Sequence, residues 1–210
     1  MRATRAVKKG LSLQRWLLLL YQLPAKPSTL RVNVWRELKS CGVVYVQHSA
    51  CVVPNRAPLR SKIEELTATI EKSRGEARLF VIAITDAKEQ EELLGQFCGQ
   101  AEEEYQEFLG RCKDFHEELA YERKKDHYSF AELEENEAEL GKLRAWLQAI
   151  AQRDFFRVPL RRKAFDTLAD CEKNFRRFGL EVARRQPIHG NRFKGMLTRS
   201  LSQPLKKLTA

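Results

Sequence analysis

A chain of 210 residues and 24.4 kDa has room for one ordinary domain with an extension, or for two small ones, which excludes a large multidomain enzyme. Hydrophobic residues at 43% supply a core, and 38 Lys and Arg against 28 Asp and Glu leave a net charge of +10 that favours anionic partners. Five cysteines, at 41, 51, 98, 112 and 171, contain no C-x-x-C pair, so neither a disulfide framework nor a zinc ribbon is expected and a reducing, cytoplasmic setting fits.

No apolar run approaches the roughly 18 to 20 residues that cross a bilayer, so no membrane span is expected. The charge is laid out in blocks. Counting Lys and Arg against Asp and Glu gives nine to one in residues 1–40, six to four in 41–85, six to eighteen in 86–141 and seventeen to five in 142–210. Residues 1–14 form a basic leader; its composition is that of a transit peptide, but the core-like run at 16–21 directly behind it argues against cleavage.

Residues 15–23 form an apolar run stopped by Pro24 and Pro27, as expected of a central strand covered on both faces. Ser28 offers an N-cap, and Leu30, Val34, Leu38 and Cys41 recur at helical spacing until Gly42. Residues 43–46 and 50–53 read as a hairpin around Gln47-His48-Ser49. Pro58 opens a second helix with Leu59, Ile63, Leu66 and Ile70 on one face, Gly75 closes it, and residues 79–84 are a last strand. This order predicts an α+β, ferredoxin-like βαββαβ domain over residues 15–85, with a four-stranded antiparallel sheet and both helices on one face.

Residues 86–185 read as an all-helical domain. Phe97, Ala101, Tyr105, Phe108, Cys112, Phe115 and Leu119 form one stripe, and Ser129-x-x-Glu132 is a capping box that starts the next helix, with Leu133, Leu140, Leu143, Leu147 and Ile150. Leu160, Ala164, Leu168, Cys171, Phe175, Phe178 and Val182 form a third. The expectation is a helical hairpin plus a third helix, packed together and within a homodimer, followed by a flexible basic tail over residues 186–210.

At about 100° per residue, Arg162, Lys173, Arg176, Arg177 and Arg184 lie opposite the third apolar stripe. They read equally as a phosphate-tracking face or as a solvated one. A second basic set, Arg31, Arg36 and Lys39, lies on the first helix, with Arg2, Arg5, Lys8 and Lys9 in the leader. Trp35 stands among them one residue from the apolar row, so core packing is expected for it ahead of base stacking. Cys112 and His116, four apart, have a chelating spacing, but Cys112 belongs to the apolar stripe and no second pair is near, so no metal site is expected. No G-x-S-x-G, H-E-x-x-H or phosphate-binding glycine loop occurs; neither enzymatic activity nor a cofactor is expected. Small metal-dependent ferredoxin-like nucleases place an Asp at the end of the first strand, where this chain has Tyr21-Gln22, so that activity is disfavoured.

The string WLLLLYQLPAKPSTLRVNVWRELK at 16–39, followed by Gly42-Val43-Val44-Tyr45-Val46 and Val52-Val53-Pro54, resembles the N-terminal domain of the ChrB family, regulators of chromate resistance. The resemblance implies a cytoplasmic transcription regulator that binds DNA upstream of a chromate-efflux operon and is released by chromate. It leaves room for no conventional helix-turn-helix before Trp16, so DNA contacts fall to the basic helix faces. A protein-interaction scaffold built on charge-segregated helices is the alternative.

Overall fold

The computed structural model describes residues 15–186; the basic leader and, beyond Gln186, the expected tail lie outside the described residues. Four strands, β1 (Arg15–Gln22), β2 (Val44–Gln47), β3 (Ala50–Pro54) and β4 (Glu76–Ala83), form one antiparallel sheet in the order β2-β3-β1-β4. Helices α1 (Ser28–Ser40) and α2 (Ala57–Lys72) complete the ferredoxin-like βαββαβ order, with α2 lying across β4 and β1 and against α1. Three long helices follow: α3 (Ala87–Lys124), α4 (Phe130–Arg153) and α5 (Leu160–Arg185).

The alternation of side chains along β1 puts Leu17 and Leu19 on one face with Val53 and Cys51, and Trp16, Leu18 and Leu20 on the other with Val52 and Phe80. Double coverage of β1 holds at only one end. Trp16 is fully buried under Phe97, stacked at 5.4 Å, and Phe156 at 6.2 Å, whereas Leu20 and Phe80 remain 38% and 43% exposed.

Two local expectations change. Pro27 occupies the N-cap of α1 and Ser28 is its first helical residue, with no side-chain cap, because the proline presets the entry dihedral. At the end of α2 the chain reverses through Arg74 (φ 61°), and Gly75 answers a demand for space: a Cβ there would stand 2.7 Å from both the Gln22 carbonyl oxygen and Ile70 Cγ2. Gly42 does take the left-handed turn after α1, at φ 68°, with Arg153 Cβ 2.9 Å from where its own Cβ would be.

The chain divides into two compact units. Among the described residues, the first takes the sheet, α1, α2, the start of α3 as far as Gln100, and Arg153–Phe156; the second takes Ala101–Gln152 and Arg157–Gln186. The division falls inside α3 and not near residue 85, because Leu93, Leu94 and Phe97 join the hydrophobic cluster of the sheet. In the second unit all of the expected stripe residues from Ala101 to Leu119, from Leu133 to Ile150 and from Ala164 to Val182 are buried, while Leu160 is partly covered. Ser129 Oγ accepts from the Glu132 backbone N–H at 3.1 Å, as the capping box requires.

Candidate functional site

In the first unit, Val34 and Leu38 turn α1 into the core and leave Arg31, Arg36 and Lys39 exposed. None of these three cations makes an ion pair among the described residues. Trp35 is not a core residue. It is 49% exposed, its ring lies 5.2 Å beneath Lys39 Nζ, and Val32 beside it is 43% exposed. The helix turns Trp35 a quarter-turn past the buried row, far enough to leave an aromatic surface between cations.

In the second unit, Arg162, Lys173, Arg176, Arg177 and Arg184 are all exposed. They are not equally available. Arg162 faces Asp166 at 3.9 Å and Lys173 faces Asp170 at 2.9 Å, both within α5. The hydrogen bond and the charge of Lys173 hold the Asp170 carboxyl below its usual range. Arg177 Nη2 donates to Asn174 Oδ1 at 3.1 Å. Arg176 and Arg184 have no carboxylate partner among the described residues. Lys173, Arg176, Arg177 and Arg184 therefore form a stripe spanning about 16 Å, at 1.5 Å per residue, with half-exposed Leu180 in its midst.

The two predicted basic sets belong to different units, α1 to the first and α5 to the second. A different group of arginines holds the helical unit together. Arg144 Nε donates to Glu172 Oε1 at 2.6 Å, and Arg123 reaches the Asn174 side-chain and backbone oxygens at 2.9 and 3.0 Å. Burial first, then the charge of Arg177, lowers the pKa of Arg123, against the opposing pull of Glu181. Arg185 hydrogen-bonds Asp126 and covers the ring of Tyr128, which stacks on Phe178.

Two polar features had no sequence signal. At one end of the sheet an open groove of about 980 Å³ is lined by Tyr21, Gln22, Tyr45, His48, Glu76 and Arg78, with the Tyr21 and Tyr45 hydroxyls 3.3 Å apart. Burial and that hydrogen bond push the Tyr45 phenol well above its ordinary range. Their pairing arises from strand register, across β1, β3 and β2, which no short spacing reports. In the helical unit, His116 meets Cys171 and Asn174 on α5, 3.4 and 2.9 Å away. Among the described residues no group of three or more His, Cys, Asp or Glu is arranged to hold a metal ion, and no helix is long and apolar enough to cross a membrane.

A profile described as "Protein ChrB, N-terminal" matches residues 31–187, about three-quarters of the chain. The chain belongs to the ChrB N-terminal family. The ChrB match begins inside α1 and runs past the end of α5, so it takes in both units. The family resemblance read from the sequence is thereby confirmed, although its opening string at 16–30 precedes the matched residues. Protein ChrB of Cupriavidus metallidurans is 28% identical over 94 residues, covering 45% of this chain and 28% of that protein. The match thus spans little more than a quarter of that relative's length.

Proposed function

We propose that this ChrB-family chain is a non-enzymatic regulator of the chromate-resistance response, acting in the cytoplasm as a homodimer that binds DNA phosphates through the basic faces of α1 and α5. Chromate acts as effector by competing for the same guanidinium groups, because a tetrahedral dianion suits the planar fork of arginine. Family membership supports the pathway. The observation that carries the binding mode is the sorting of cations: Arg31, Arg36, Arg176 and Arg184 are exposed without a carboxylate partner among the described residues, while Arg123, Arg144 and Arg185 take the structural pairings.

The test is fluorescence anisotropy on duplex DNA from upstream of a chromate-efflux operon. Binding should weaken linearly in log affinity against log salt, with a slope of about −4 to −5 if the five cations of α5 each displace one counterion. Chromate should then displace the duplex. Absent or salt-independent binding removes the DNA claim, and indifference to chromate removes the switch. Exposed Val32 and Trp35 favour a second reading, a scaffold that docks a protein partner on α1. Weak retention on heparin together with a larger heteromeric species would support that reading over the first.

A further inference from the structure

Two of the three tryptophans serve packing. Trp16 stacks on Phe97 at 5.4 Å, and Trp146 meets the Phe108 ring edge-on at 5.7 Å. Trp35 on α1 has no aromatic ring against it among the described residues, and it stays out of the hydrophobic cluster that Val34 and Leu38 join.

The surroundings of Trp35 are ordered. Arg31, Trp35 and Lys39 stand four apart and make one ridge of the helix, each about 6 Å further along the axis. Val32 and Arg36 make the ridge beside it, and all five side chains are exposed. Glu37, the one acid of α1, is two positions past Trp35 and so faces about 160° away from it. Along the ridge the order is cation, indole, cation, with Lys39 Nζ 5.2 Å from the centre of the ring and no carboxylate interleaved.

Three kinds of partner use an exposed indole, and this arrangement separates them. A membrane surface takes a helix through its apolar face, but that of α1, Val34 and Leu38, is buried in the sheet unit. A protein interface is depleted of charge at its centre, whereas here cations bracket the indole at both ends. A nucleic acid strand answers both features: its phosphates meet the cations and a base offers its ring face to the indole. An intact duplex covers that face with the neighbouring bases, so the base must be unpaired.

We propose that Trp35 is a base-stacking residue and that the ridge of Arg31, Trp35 and Lys39 binds single-stranded DNA, with a base on the indole and adjoining phosphates on Arg31, Arg36 and Lys39. The inference rests on the reading of α1 as a DNA-contacting face and adds to it a preference for unpaired over paired DNA.

The experiment follows fluorescence anisotropy of the full chain with labelled DNA probes of about 12 nucleotides at one salt concentration: a single strand, the same sequence as a blunt duplex, and a strand of abasic sugars. Trp35→Ala should weaken single-strand binding about tenfold and duplex or abasic binding less than about twofold, while Trp35→Phe, which keeps a ring, stays within about threefold of the wild type. The single strand should also quench the share of indole emission that Trp35→Phe lacks, and the abasic strand should not. Equal losses on all three probes would make Trp35 a structural residue and overturn the stacking role. A single strand whose affinity and quenching ignore the substitution, the result expected of a protein-docking Trp35, would overturn it too. In either case duplex binding by the wild type leaves the phosphate reading standing. A single strand held through Trp35 without any duplex binding would uphold the stacking site and remove the duplex reading, and a chain that binds none of the probes loses both. An RNA strand bound about tenfold tighter than its DNA counterpart would overturn the choice of DNA.

Discussion

Arg144 and Arg176 carry the same charge in the same unit and meet opposite environments. Arg144 lies among Leu140, Leu143 and Leu147 on α4, leaves 11% of its side chain exposed, and answers Glu172 at 2.6 Å; Arg176 points to solvent. Removing one partner of a buried pair leaves the other charged and stranded, so Arg144→Met should cost about 2–3 kcal/mol in urea unfolding, below the fully buried range because Glu172 is a quarter exposed. Adding Glu172→Leu to it should recover most of that loss; a double variant no more stable than Arg144→Met would contradict this account. A cation inside an apolar stripe is visible in the sequence, since Arg144 follows Leu143 and stands four from Leu140. Its partner is not, because Glu172 is 28 residues away on another helix. The same limit hid the meeting of His116 with Cys171: spacing within α3 paired His116 with Cys112, but the ring turns to α5.

At the scale of the element, α5 is read well by its period and less well by its charge. The apolar stripe of spacing three and four is buried where expected, and the five cations lie opposite it. Asp166 and Asp170 share that exposed side and engage Arg162 and Lys173. If α5 is a phosphate-binding face, Asp166→Asn with Asp170→Asn should tighten DNA binding about threefold to tenfold at low salt, because two repulsive charges go and two cations are released. Unchanged anisotropy titrations would argue that phosphates do not approach this helix. On α1 the period gives the buried row of Val34 and Leu38 but misjudges Trp35, since one residue beyond a row is a turn of about 100° and can lie on either side of the boundary between core and solvent. The strands were legible because β-branched and leucine runs are bounded by Pro24, Gly42 and Pro54; the half-open face of β1 was not, because it depends on where Phe97 and Phe156 come to rest.

For the whole molecule, ferredoxin-like order and three following helices could be read from residue pattern alone, whereas the position along the chain where one unit gives way to the other could not. A stripe that continues unbroken from Phe97 to Leu119 gives no sign that its first member serves the sheet. The ChrB N-terminal match covers parts of both units. One small group inside the helical unit has reach beyond its size. A carboxamide owns a single oxygen, and that of Asn174 is shared by Arg123, an interior guanidinium, and Arg177, an outward one. Any anion that draws Arg177 away loosens the grip on the amide and, through it, on the imidazole behind. Contact on the outer surface of α5 should therefore be heard in the interior, as displaced nitrogen resonances of His116 when phosphate or duplex is added; a silent imidazole at saturation would mean the amide does not relay the event.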